Sequence, residues 1–211
     1  VTALSFVLFG VDSSFSAEVI ETLRRLGHSV AAGIVTGAPE WPLEGIDVLR
    51  EESEVEPALR GLPVVVPWVT PKLRMERTER AKRAGFTRFD AVIDPTAIIA
   101  RNANIGEGVF INAGAIVGAD VAIAEHAVMN RAASVGHHST IEPFAAIGPR
   151  AVVASKCTIG RGVLIGAGAV VGPGVTLGAA CMVALGGVVA RDVAPGATVA
   201  GNPARLARPG S

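Results

Sequence analysis

From Ile93 onward the chain repeats every six residues, and few folds tolerate such a pattern. Stepping by six from Ile93 meets Ile99, Ile105, Ile111, Val117, Ile123, Met129, Val135, Ile141, Ile147, Val153, Ile159, Ile165, Val171, Leu177, Val183 and Val189 without a slip in frame. The residue after each is mostly small or turn-forming, as at Gly106, Asn112, Gly118, Asn130, Gly136, Gly148, Gly160 and Gly166. Four places after the aliphatic comes a small or β-branched residue, such as Ala115, Ala133, Ser139, Ala145, Cys157, Ala169 or Val175. No helical period yields this. A six-residue unit accommodates one short strand and one turn, with the large aliphatic pointing inward and glycine or asparagine expected to supply positive φ at the corners. Three units close one triangular coil, so residues 18 apart stack, and each buried aliphatic contributes about 1.5–3 kcal/mol.

Composition separates this segment from what precedes it. Residues 1–92 contain 7 glycines and 24 charged side chains, and residues 93–211 contain 18 and 14. The expectation is an α/β domain over 1–92 and a β-helix with a C-terminal tail over 93–211. In the first part, Ala3–Gly10 reads as a strand, Ser16 to Leu26 as a helix stopped by Gly27, and Val30–Val35 and Val64–Val66 as further buried strands. Thr70-Pro71 opens a charged helix that runs to Gly85. Strand and helix alternate, which argues for a small Rossmann-like parallel sheet.

Several functional classes fall away. Lys plus Arg and Asp plus Glu balance at 19 each, so no net charge draws the chain to nucleic acid or an anionic membrane. Val1 to Phe9 is apolar but short and lacks a basic leader, so it reads as a buried strand rather than a signal peptide. No run of about 18 apolar residues spans a bilayer. Cys157 and Cys181, 24 residues apart and therefore on different faces, read as core fillers. A cytoplasmic setting is expected.

An α/β domain followed by an uninterrupted hexapeptide repeat resembles the acyltransferase family of sialic acid O-acetyltransferases and bacterial nucleotide-4-amino-sugar N-acetyltransferases. The resemblance is carried by Ile93-Asp94-Pro95-Thr96-Ala97, by Asn130 through Ile141, and by Gly201-Asn202-Pro203-Ala204-Arg205. It implies a left-handed parallel β-helix, a homotrimer, acetyl-CoA as co-substrate, no metal, and a sugar or nucleotide-sugar acceptor. The family's general base is a histidine in a Gly/Glu-His-Asp/Glu segment. That segment is Gly136-His137-His138-Ser139 here, which places the base at His137 and the backbone oxyanion donor at Ser155, one coil later. Imidazole suits the role because the acceptor must lose a proton as it attacks the thioester, and imidazole titrates near neutrality.

The repeat points to the same residue. His137 and His138 follow the inward Val135 by two and three places, so both lie outside the core column. The acid that follows the base in the family is His138 here, leaving a carboxylate such as Glu142 or Glu125, the backbone, or low activity as the alternatives. A family histidine nine residues after the base is Ala146, so Ala146, Ala167, Leu185 and Gly186 are expected to hold the pantetheine arm through apolar and backbone contacts. On the acceptor side, Asn130 matches a family asparagine, or else simply stacks over Asn112.

Gly10, Asp12 and Ser13 form the first turn, where family members bind nucleotide phosphate. One glycine stands where several are usual, and Asp12 sets negative charge at the helix N-terminus. Two other functions stay open: a catalytically lapsed scaffold, and a metal hydrase using His126, His137 and His138. The spacing of 11 between His126 and His137 does not stack, which argues against the hydrase.

Overall fold

The structure is a computed structural model that describes residues 2–37, 45–50 and 54–207. Val1, at the head of the expected first strand, and 208–211, the end of the expected tail, lie outside the described residues. The chain forms two compact units, Val1–Pro95 and Thr96–Ser211.

In the first unit the apolar run Ser5–Phe9 forms β1. Ser16–Arg25 forms α1, with Glu18 in its first turn and Arg24 and Arg25 in its last, as the helix dipole favours. It stops as expected: Gly27 takes φ +74° and the His28 N–H donates back to Leu23 O at 2.9 Å. Ser29–Ile34 forms β2, Val48–Leu49 forms β3, Pro57–Arg60 forms α2, Val64–Val65 forms β4 and Pro71–Arg83 forms α3. Among the described residues these strands make one parallel sheet in the order β3-β2-β1-β4. Val7, Phe9, Ile34, Val64, Ala81 and Phe86 share a core cluster.

Two features depart from expectation. The strand β3 and the one-turn helix α2 have no period long enough to show in sequence. The charged helix α3 also buries one of its charges: Arg74 is 2% exposed and donates from Nη1 to Trp68 O and Val69 O, both at 2.6 Å. Burial pushes its guanidinium below its ordinary pKa.

In the second unit every repeat contributes a two-residue strand, and pairs 18 residues apart are in register. Ser134 pairs with Ile116 and Val152, Thr140 with Ala122 and Thr158, and Ala146 with Val128 and Leu164. Three parallel faces result. The first carries Ile116–Val117, Ser134–Val135 and Val152–Val153, the second Ala122–Ile123 and Thr140–Ile141, and the third Val128–Met129 and Ala146–Ile147. The second residue of each strand points inward, and from Ile111 to Val189 these side chains are buried. The small residues four places on, including Ala133, Ser139, Cys157 and Ala169, are buried beside them. After Val189 the frame shortens: Leu177 bridges Val193 and Val183 pairs with Val199. An antiparallel pairing of Thr198–Ala200 with Arg205–Leu206 ends the sheet.

The corner backbone corrects the sequence reading. Positive φ falls not on the residue after each inward aliphatic but two places further on, at Asp120, His126, Ala132, His138, Phe144, Arg150, Lys156 and Ala180 as well as at several glycines. The glycines directly after the aliphatic answer to close approach between coils. A Cβ on Gly136 would stand 2.6 Å from Ser155 N, and one on Gly118 2.8 Å from His137 N.

Candidate active site

The turn 136–139 leads from the first face to the second. Ser139 turns inward and locks it: its Oγ donates to Ala154 O at 3.1 Å and accepts from Cys157 N at 3.1 Å. The His138 N–H donates to Ala119 O in the preceding coil, and His137 O accepts from Lys156 N in the next. Held above and below, the corner presents both imidazoles outward, and both are exposed.

The two rings meet edge to face with centroids 5.0 Å apart, and His137 Nδ1 lies 2.9 Å from His138 Nδ1. At that distance one nitrogen carries the proton and the other accepts it. The far nitrogen of His138, Nε2, stands 3.5 Å from Asp120 Oδ2. Asp120 occupies the same corner one coil earlier, and Asn102, a further coil back, donates from Nδ2 to Asp120 Oδ1 at 2.7 Å. Asn102, Asp120, His138 and Lys156 therefore form one ladder at 18-residue spacing.

Ser155 stacks under His137. Its N–H donates to no backbone acceptor among the described residues, and Gly136 in the preceding coil sets no side chain against it: a Cβ there would stand 2.6 Å from the nitrogen. A buried or half-covered N–H without a partner is a ready donor for an oxyanion.

The other expected residues are distributed as follows. Glu142 does not reach the histidines' ladder: it lies on the corner after the second face, where its Oε2 accepts from Arg161 N of the next coil at 2.8 Å. Ala167, Leu185 and Gly186 gather on the corner at the opposite edge of the first face, where Gly186 N donates to Ala167 O at 2.9 Å and Leu185 is 76% exposed. Ala146, on the third face, is buried. Asn130 is buried as well, and its Oδ1 accepts from Asn112 Nδ2 at 3.2 Å and from Arg131 N at 2.8 Å, so it takes the stacked arrangement over Asn112. His126 is buried against Phe144, with ring centroids 5.0 Å apart, on a different corner from His137 and His138. These three imidazoles do not converge.

In the first unit, the turn at Gly10, Asp12 and Ser13 is bound up in its own structure. Gly10 takes φ +88° and its carbonyl accepts from Trp68 Nε1 at 2.7 Å. Asp12 does not present a bare negative charge at the helix start, contrary to expectation. It is buried, accepts from Thr36 N and Thr36 Oγ1, and pairs with Arg77 Nη2 at 3.5 Å. The Arg77 guanidinium stacks 4.1 Å from the Trp68 ring centroid. Ser13 Oγ accepts from Phe15 N at 3.2 Å, in the turn that precedes α1.

Asp120 is the site residue that sequence reading missed. Its signal was available, since subtracting one coil of 18 from His138 lands on it. Among the described residues no group of three or more His, Cys, Asp or Glu could hold a metal, and no helix is long and apolar enough to cross a membrane.

The fold is shared with known proteins. The family described as bacterial transferase hexapeptide (six repeats) matches residues 138–173. No curated protein matches in sequence. Among solved structures, PerB from Caulobacter crescentus in complex with CoA and GDP-perosamine is similar at 30% identity over 99% of both chains, with a TM-score of 0.88. The acetyltransferase domain of PglB from Neisseria gonorrhoeae in complex with acetyl coenzyme A is 26% identical, over 98% of this chain and 100% of that one, with a TM-score of 0.87. WeeI from Acinetobacter baumannii shares the fold at 23% identity, over 98% of this chain and 100% of that one, with a TM-score of 0.83.

Proposed function

The chain belongs to the left-handed β-helix, hexapeptide-repeat sugar N-acetyltransferases, and from that premise we propose that it moves the acetyl group of acetyl-CoA to the amine of a nucleotide-linked amino sugar, with His137 as general base. The observation that carries this reading is the exposed His137–His138 pair standing one coil above a Ser155 N–H that has no backbone acceptor. His137 Nε2, turned away from the His138 contact, takes the amine proton as the nitrogen attacks the thioester carbon. The Ser155 N–H receives the developing oxyanion. When the tetrahedral centre collapses, the proton held on His137 passes to the departing thiolate.

The coenzyme fits the residues present. Ala167 and Gly186 are small and Leu185 is apolar, so their corner offers a smooth wall and backbone groups to a pantetheine arm. That corner and the His137 corner lie at opposite edges of the first face, so a single chain cannot bring them to one ligand. A homotrimer resolves this, since the His137 corner of one copy then faces the Ala167 corner of its neighbour. The first face supports such assembly: Ile98, Ile116, Val152 and Val170 stand exposed along it, with Ser134 between the second and third.

The test is turnover of acetyl-CoA with GDP-perosamine and other nucleotide-linked amino sugars, followed by free-thiol release. His137→Ala is expected to lower kcat by about 10²–10⁴ while the protein stays folded. Full activity in that variant removes His137 from the mechanism. An absence of acetyl-CoA binding by calorimetry would instead favour a lapsed scaffold.

A further inference from the structure

We propose that Asp120 is the positioning residue of this site: through His138 it sets the tautomer of His137 and receives the charge that develops there. The inference rests on the reading of His137 as base. Three distances carry it. Asp120 Oδ2 lies 3.5 Å from His138 Nε2, His138 Nδ1 lies 2.9 Å from His137 Nδ1, and Asn102 Nδ2 steadies the other Asp120 oxygen at 2.7 Å.

The tautomer logic follows from the donor inventory. A carboxylate only accepts, so it draws the His138 proton to Nε2. Neutral His138 then has a bare Nδ1, which accepts from His137 Nδ1–H. His137 is left with its lone pair on Nε2, the nitrogen free to meet the acceptor. When Nε2 takes the substrate proton, the Nδ1 proton of His137 shifts to His138 Nδ1. His137 returns to neutral, and His138 becomes an imidazolium paired with Asp120; when Nε2 gives its proton to the departing thiolate, the Nδ1 proton moves back from His138 to His137 and both rings regain their starting tautomers. One proton enters and one moves on, so charge balances without an oxidant or co-reactant. His138 extends by one residue the contact that an acid would make directly.

The contact is not there for stability. Asp120 and His138 are 51% and 59% exposed at the side chain, and such surface pairs add little to folding. Asp120 adopts φ +57°, yet Ala132 and Ala180 hold the same backbone at equivalent corners, so Asp120→Ala is compatible with the fold. The other charged groups along this corner are Arg101, beside Asn102, Lys156, one coil after His138, and Arg191 and Asp192 at its far end, where Asp192 Oδ1 accepts from Thr176 N at 2.8 Å; Asp120 is the carboxylate one coil from His138.

The experiment uses the full chain with histidine labelled with 15N. Only His28, His126, His137 and His138 contribute, so long-range proton–nitrogen spectra resolve each ring. The expected result is His137 protonated at Nδ1 and His138 at Nε2, with Asp120→Ala collapsing both to tautomer mixtures. In turnover with acetyl-CoA and GDP-perosamine, Asp120→Ala lowers kcat about tenfold with KM held within about twofold. His138→Asp supplies the acid directly, and in that background Asp120→Ala changes kcat less than about twofold. Unchanged His137 and His138 tautomers in Asp120→Ala overturn the proposal, as does an equal loss of kcat in both backgrounds. Tautomers that respond to Asp120 while no acceptor is acetylated would leave the relay standing and defeat the functional reading instead.

Discussion

Gly136 and Ser155 approach so closely that a Cβ on the glycine would stand 2.6 Å from the serine nitrogen and 2.7 Å from its hydroxyl oxygen. The bare backbone at 136 therefore both permits the coil spacing and keeps the Ser155 N–H open. Gly136→Ala is expected to cost about 1–3 kcal/mol of stability through overpacking. It should also lower kcat by about a hundredfold, as loss of an oxyanion donor does. Thermal unfolding and steady-state kinetics on one preparation test both, and a variant normal in both would show the approach to be of no consequence.

The exposed apolar residues on the first face predict the assembly. Ile116→Lys combined with Val152→Lys places charge on a face where neither side chain reaches the core column. Light scattering is expected to show monomers in place of trimers, with the circular dichroism of the β-helix retained. Acetyl transfer falls with the trimer, because the His137 and Ala167 corners then belong to separated copies. A doubly substituted chain that stays trimeric would place the interface elsewhere.

Asp12 is expected to be structural. Asp12→Ala removes the acceptor for Thr36 N and Thr36 Oγ1 and strands Arg77, which is only 12% exposed. Breaking one partner of such a buried pair costs about 3 kcal/mol. Chemical denaturation should show the first unit unfolding at lower denaturant while the β-helix transition is unmoved. Unaltered stability together with weaker nucleotide-sugar binding would make Asp12 a ligand contact instead.

The cysteines offer a pH test. Burial raises both thiols, Cys181 to about 11. A raised thiol stabilises the fold fully below its unfolded value, and that contribution is lost as pH climbs through the folded one. At pH 8 the native protein is expected to react with neither thiol during hours with a thiol-exchange dye, whereas denaturant should release both at once. Stability of the wild type relative to Cys181→Ala should decline between about pH 9 and pH 11. Rapid native labelling at pH 8 would mean that the thiols are not core fillers.

Much of this architecture was legible because its cause is local and periodic. The column from Ile111 to Val189 is aliphatic at every sixth place because the second residue of every strand faces the interior. Gly27 and Pro71 mark helix ends for similarly local reasons, one through positive φ and the other through a preset φ at the first turn. The pair Val48–Leu49 escaped notice because two residues carry no period; they become a strand only by pairing with Gly33 and Ile34. Arg74 looked like one more solvated charge on α3, and only the carbonyls of Trp68 and Val69 explain its burial.

At the site, sequence alone determined that His137 and His138 sit outside the core and that Ser155 falls one coil below, since both follow from counting along a strict repeat. It did not decide what the side chains do there. Backbone crowding between coils places glycine after the inward aliphatic, and the left-handed corner falls instead on residues such as Asp120 and His138. Asp120, and not Glu142, became the carboxylate beside the histidines for one physical reason: in a coil that closes every 18 residues, contact follows the stack between coils rather than nearness along the chain.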